Sequence, residues 1–384
     1  MIYLDHNATT PIHAHVFRAM ESYLKERFGN PSSSYQIGRE AKTALENART
    51  AIAGSIGAGY GEIIFTSGGT ESDNLAIRGV AMAHRSKGDH IITSSIEHHA
   101  VLKTCQALEA EGFRVTYLPV DANGLVNPDD VLKYIESKTI LITIMLANNE
   151  TGVIQPIPAI GAIAKEAEIL FHTDAIQAVG KIPFTVDDLG VDLLSISGHK
   201  IYGPKGIGAL YIRKGVSIQP ILTGGHHEHS LRAGTENIPA IMGLAQAMLL
   251  AVQNQKGTSE KFSILRKRLE SGILARIEGA QINGANAPRI SNTSSVSFPM
   301  IEGESILLHL DLKGICVSTG SACTTSSPEP SHVLTSMGIT PQTAQGTIRF
   351  SMGEDNTKEE IDSVIDVLCD ITTKLKNISS LTRK

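Results

Sequence analysis

The chain has 384 residues, 41% of them hydrophobic, and a formal net charge of -5. That is enough apolar material for two domains, or one large domain with an appendage, and it excludes a disordered chain. The acidic balance argues against a nucleic-acid binder, which wants a basic field, and no uninterrupted apolar run reaches the roughly 18 residues of a membrane helix.

In chain order, the opening segment MIYLDHNATTP lacks a basic region followed by an apolar stretch, so it does not read as a signal peptide. Short apolar runs then alternate with longer helical patterns. The strand candidates are GEIIFTS, DHIITSS, FRVTYLPV, ILITIMLA, EILFHTDA, VDLLSIS and IGALYIR. Most are β-branched and almost continuously apolar, as strands buried on both faces are. Helical segments such as ESDNLAIRGVAMAHR lie between many of them, which predicts an α/β fold with a mostly parallel sheet covered by helices. Ligands of such sheets sit beyond the carboxyl ends of the strands.

A polar stretch around 252–261 marks a change of character. Beyond it, Phe262, Leu265, Leu269, Ile273 and Ile277 fall on one helical face. Two shorter strand candidates follow, TSSVSFP and TIRFSM, and Thr357 and Glu360 form a capping-box pattern before an apolar helix. This predicts a smaller α+β domain. The division is 1–14 as an N-terminal segment joining the small domain, 15–255 as the large domain and 256–384 as the small one.

Cys105, Cys316, Cys323 and Cys369 are the only cysteines, and no two have a CxxC spacing. The usage predicts a reduced, cytoplasmic protein without disulfides. Cys105 and Cys369 sit in helical patterns and Cys316 in an apolar run, so all three read as packed thiols. Cys323 differs. It stands in STGSACTTSSPEPSHV with only small polar residues around it. An exposed thiol is a liability unless its reactivity is wanted, and the composition reads as a mobile loop.

Several strand ends carry polar residues. FTSGGTESDN ends a strand and opens a helix, which is either a phosphate cradle or an ordinary glycine turn with a Thr cap. Asp174 follows an apolar strand in FHTDAIQAVG, where it could equally cap the next helix. LLSISGHKIYGPKG places Lys200 at a buried strand end before Gly203-Pro204, which fits a Schiff-base lysine in a fixed loop. A phosphate cradle, a carboxylate and a lysine, in that order on strands of one α/β domain, are what pyridoxal phosphate requires for its phosphate, its ring nitrogen and its aldehyde.

With these residues in place, the chain resembles the cysteine desulfurases of the NifS/IscS type, within the class V branch of the fold-type-I pyridoxal-phosphate enzymes. The motifs carrying the resemblance are FGNPSS, FTSGGTESDNLAI, EHHAV, NNETG, TDAIQAVGK, SGHKIYGPKG, RAGTEN, GSACT and GTIRFSMG, and they span nearly the whole chain. The resemblance implies the PLP-dependent transferase fold, with a seven-stranded sheet. It implies that Lys200 holds the cofactor covalently, that Asp174 pairs with the ring nitrogen and that Gln177 bonds the ring oxygen. His98 would stack on the ring and shuttle protons. Gly69, Thr70, Ser197, Gly198 and His199 would hold the phosphate, and Thr235 would reach the phosphate of a partner subunit in a homodimer. Asn149 would lie near ring and substrate, Asn30 and Arg349 would bind substrate, and Cys323 would receive the sulfur.

The implied reaction converts L-cysteine to L-alanine with a persulfide on Cys323, for delivery to an iron–sulfur scaffold protein. No intrinsic metal is expected, although Cys323 could transiently ligate a cluster shared with that scaffold. Alternatives are a selenocysteine lyase, another class V enzyme, or a scaffold without turnover. Departures from the family pattern occur at Tyr35, His226, His227 and Gln345. The triplet His226, His227 and His229 reads as a polar loop near a dimer interface rather than a metal site.

Overall fold

The computed structural model describes residues 1–319 and 330–378. A two-residue strand, β1 (Ile2–Tyr3), opens the chain. Seven strands then build the large sheet: β2 (Ile63–Thr66), β3 (His90–Ser94), β4 (Arg114–Leu118), β5 (Thr139–Thr143), β6 (Leu170–Asp174), β7 (Leu193–Ser197) and β8 (Gly208–Ile212). Six of the seven predicted segments contain one of them, and ILITIMLA overlaps β5, which begins one residue earlier at Thr139. The order is β2-β8-β7-β6-β5-β3-β4. The β4-β3-β5-β6-β7 run is parallel, and β8 runs antiparallel to both its neighbours.

Burial on both faces explains why these strands read as continuous apolar runs. Ile63, Phe65, Ile92, Ile142, Leu194 and Ile196 join one hydrophobic cluster. Their neighbours Ile64, Ile91, Leu141 and Leu193 join another across the sheet. Alternate side chains of a strand point to opposite faces, so each face needs its own layer of helices. Each Ile or Leu so buried contributes about 1.5–3 kcal/mol. Only β4, at the edge, is substantially exposed.

The second sheet comprises β9 (Gln281–Ile282), β10 (Thr293–Ser297), β12 (Ser318–Thr319) and β13 (Thr347–Ser351), all antiparallel, while β11 (Ile315–Cys316) pairs in parallel with β1. A third cluster packs here: Leu4 from the N-terminal segment joins Phe262, Leu269, Val296, Phe350 and Leu368. The capping box forms as read. Glu360 N–H donates to Thr357 Oγ1 and Thr357 N–H to Glu360 Oε2, both at 3.2 Å.

The polar stretch at 252–261 is not a break. One helix runs from Ile238 to Arg276 through it, burying Ile241, Leu244 and Met248 at one end and Phe262, Leu265 and Leu269 at the other. Gln, Lys and Glu are good helix formers, and a helix that bridges two cores has no reason to be apolar where it crosses between them. Cys105 is buried as expected. Cys316, expected to pack, is only partly buried, because the two-residue strand β11 lies in a two-stranded pair at an edge; Cys369 is also partly exposed. No helix among the described residues is long and apolar enough to cross a membrane.

Candidate active site

A chamber of about 400 Å³ opens beyond the carboxyl ends of the parallel strands. Asp174 is the last residue of β6, and Lys200 closes the tight turn Gly198–Lys200 that follows β7. These strands are adjacent and in register, with Asp174 opposite Ser195. Gly69 and Thr70 begin the helix Gly69–His84 after β2, and no side chain caps that end. A Cβ at residue 69 would fall on the end of the Ile176 side chain, so with glycine there the helix start lies close against the Asp174 loop. His98 caps the helix His99–Ala110 after β3, its Nδ1 accepting from Ala100 N–H at 3.1 Å. That bond puts the proton of the neutral ring on Nε2.

The opposite wall comes from the chain's beginning and end. Lys200 Nζ donates to the carbonyls of Asn7 and Ala8 at 2.6 and 2.8 Å. Arg349, on β13, donates to Asp5 Oδ1 at 2.7 Å and to the Asn149 carbonyl at 3.1 Å. Asn7 Nδ2 donates to that same carbonyl and to Thr293 Oγ1. The N-terminal segment therefore fastens both cations.

Burial dominates the electrostatics. Asp174 accepts from Ile176 N–H, yet burial pushes its carboxyl up to about 6, against the pull of Lys200. Asp73 lies beneath, 3.7 Å from His172 Nε2, pushed well up by burial and then by Asp174. Glu97 accepts from Ser94 Oγ at 2.5 Å and Met145 N–H at 3.0 Å, and burial raises it to about 8. His98 and His199 are each lowered to about 4, first by burial and then by Lys200. Both imidazoles are neutral at neutral pH. Titratable groups displaced in opposite directions around one cleft mark a functional site.

Of the residues singled out from the sequence, Gly69, Thr70, His98, Asp174 and Lys200 line the chamber, and so do Asn149, Gln177, Ser197, His199 and Arg349. Gly198 is buried in the turn but does not line it. Asn30 is exposed and does not line the chamber within the single chain, its Oδ1 accepting from Ser32 N–H in a local turn. Thr235 is also exposed and outside it. Cys323 lies outside the described residues. Asn7, Asp5 and Lys181 were missed. Lys181 stands inside the motif TDAIQAVGK and Asp5 and Asn7 inside the opening segment MIYLDHNATTP, but only three-dimensional contacts reveal what they bind.

The class-V aminotransferase model matches residues 2–364. The chain belongs to the class-V aminotransferase family. Within that family it is 54% identical over 378 residues to "Cysteine desulfurase IscS" of Dictyoglomus turgidum, covering 98% of this chain and 96% of that protein. It is 54% identical over 383 residues to the protein of the same name from Methanosarcina thermophila, covering 100% and 95%. A solved "NIFS-LIKE PROTEIN" superposes with a TM-score of 0.91 at 41% identity, covering 97% of this chain and 100% of that one. Members of the family depend on pyridoxal phosphate.

Proposed function

We propose that the chain is a pyridoxal-phosphate-dependent cysteine desulfurase that takes L-cysteine to L-alanine and leaves the sulfur as a persulfide on Cys323. The observation that carries this reading is the convergence of Lys200, Asp174 and Arg349 on one chamber. The residues fit the cofactor. Asp174 is a buried carboxylate that a ring cation would hold ionised. Gly69 and Thr70 bring an uncapped helix N-terminus to the chamber, which suits a phosphate.

When bound, pyridoxal phosphate supplies an aldehyde that condenses with amines and a protonated ring that accepts the electron pair of the broken Cα–H bond. Lys200 would anchor the aldehyde carbon and, once free, would move the substrate's Cα proton as a base. Asp174 keeps negative charge at the ring nitrogen. Gly69, Thr70, Ser197 and His199, which line the chamber, would hold the phosphate, and Gln177 would donate to the ring oxygen. Arg349 would take the substrate carboxylate with its two-pronged donor set, and His98, neutral with its proton on Nε2, would stack on the ring and pass a proton. The Cys323 thiolate attacks the substrate sulfur. The Cβ–S bond breaks, a protein S–S bond forms, and the carbon fragment takes up protons to leave as alanine.

The thiol assignment has support from elimination. None of Cys105, Cys316 and Cys369 lines the chamber, and burial pushes all three thiols up, away from the reactive thiolate. Cys323 is the remaining cysteine. We further propose a cytoplasmic homodimer that passes sulfur to an iron–sulfur scaffold, with Thr235 at the partner's phosphate. Exposed Phe17, Leu24 and Phe28, with Leu249 and Val252 on the long helix, support a self-association face. The division at 1–14, 15–255 and 256–384 remains our proposal, supported by Leu4 packing with the second core while Val16 and Met20 join the first.

Supplying purified protein with pyridoxal phosphate and L-cysteine tests the function. Alanine and persulfide are expected in equal amounts in the first turnover. Turnover of selenocysteine alone would favour a selenocysteine lyase, and no alanine from either substrate would contradict both.

A further inference from the structure

Lys181 takes no part in the scheme above, and it does not line the main chamber. It borders a separate cavity of about 40 Å³, together with His6, Tyr202, Leu250 and Phe262. Among the described residues no carboxylate pairs with it. Its Nζ instead donates to Gln177 Oε1 at 2.7 Å and lies 3.4 Å from Asn7 Oδ1. Burial, then the charges of Lys200 and Arg349, lower the ammonium to about 7. A cation in such surroundings, answered only by amide oxygens, is costly unless those oxygens matter.

An ammonium has donors and no acceptor, and even the neutral amine keeps two N–H groups for the two oxygens. A side-chain amide that turns its oxygen toward such a group must turn its NH₂ away. Asn7 obeys this: its Nδ2 donates to Asn149 O and Thr293 Oγ1. Gln177 obeys it too. Its Nε2 gives one N–H to the Asn7 carbonyl at 3.0 Å, which leaves the second for the chamber that Gln177 lines. The Lys181 backbone is itself pinned, its carbonyl accepting from Ser259 Oγ on the long helix at 2.8 Å.

We infer that Lys181 is a positioning residue that fixes the polarity of the Gln177 amide, so that an N–H, not a carbonyl oxygen, meets the ring oxygen of the cofactor. The inference rests on the function proposed above. Without Lys181 only the Asn7 carbonyl favours this orientation, and the flipped amide, which sets its oxygen against an oxygen that carries negative charge, becomes accessible. Losing a hydrogen bond to a charged oxygen shifts its ionisation by about one unit or more.

The test uses the holoenzyme and two readouts: the pH midpoint of the bound cofactor's visible absorption, and the dissociation constant for pyridoxal phosphate. Lys181→Met is expected to raise the midpoint by about one unit and weaken cofactor binding by about tenfold. Lys181→Arg, whose larger head has the adjoining cavity to enter, is expected to restore the wild-type midpoint. Gln177→Leu separates amide polarity from the loss of a nearby charge, because the charge effect survives in that background and the polarity effect does not. Lys181→Met should therefore produce no further shift there. An unchanged midpoint and affinity in Lys181→Met, a shift of equal size in the Gln177→Leu background, or an Arg variant as displaced as the Met variant would each overturn the inference alone. Wild-type protein that takes up no pyridoxal phosphate would overturn the functional reading, and this inference with it.

Discussion

Lys200 and Asp174 reach the chamber from adjacent strands of the large sheet, whereas Arg349 reaches it from β13 and is held by Asp5 across 344 residues of chain. The first wall is set by backbone pairing. Asp174 is where it is because β6 lies in register with β7, and Lys200 because the turn after β7 is tight. The second wall is set by side chains and by the N-terminal segment that threads between the two. Backbone pairing makes a rigid platform for chemistry. Side-chain pairing leaves a cation that, in the function proposed, exchanges one carboxylate, that of Asp5, for the substrate's.

The sharpest break in this comparison is on the sheet wall. Lys200→Ala is expected to lower alanine formation by about a thousandfold or more, the scale of a lost acid–base group, with pyridoxal phosphate still bound but releasable by dialysis. Retained turnover, or a borohydride-reduced adduct mapping to Lys205, would show that the lysine is misassigned. On the other wall, Arg349→Leu removes two charge-assisted hydrogen bonds and should lower kcat/KM for cysteine by about 10²–10³. Most of that should appear in KM, because carboxylate binding is shared by ground and transition states. Arg349→Lys keeps the charge but not the fork and should lose only about tenfold. Equal losses in both variants would mean that the charge contributes nothing there without the fork.

A smaller effect separates the acids beneath the sheet wall from the rest. Glu97 ionises near 8 when folded, against an ordinary 4.5. Between those values the folded state retains a proton that the unfolded chain has released, so stability falls as pH rises through the window. Relative to Glu97→Gln, the protein should lose about 1 kcal/mol per pH unit there, read as the gap between the two denaturation midpoints. A gap that does not change from pH 5 to 8 would show Glu97 to be ionised throughout.

The two walls also differed in how far the sequence disclosed them. Asp174 and Lys200 end apolar strands, so a local pattern marks them: a run of β-branched residues stops and a polar residue stands at the stop. The seven strands were found for the same reason. Asp5, Asn7 and Lys181 carry no such mark. Their partners are Arg349, Lys200 and Gln177, and two of these three contacts join residues far apart in the chain. Lys181 and Gln177 are four residues apart, yet their bond depends on a turn whose burial is set by the long helix. The helix itself was obscured at 252–261 because it crosses between cores and shows no apolar stripe there. Asn30 belongs to a motif of the family, and within the single chain its Oδ1 accepts from Ser32 N–H in its own turn.

The central claim is that sulfur leaves cysteine in the chamber and comes to rest on one thiol. Mass spectrometry of the protein after a single turnover with L-cysteine, with alanine counted in the same sample, tests it most directly. One added sulfur atom on the peptide containing Cys323 per alanine released is the predicted result. Alanine released without sulfur on that peptide, or sulfur found instead on Cys105, Cys316 or Cys369, would contradict it.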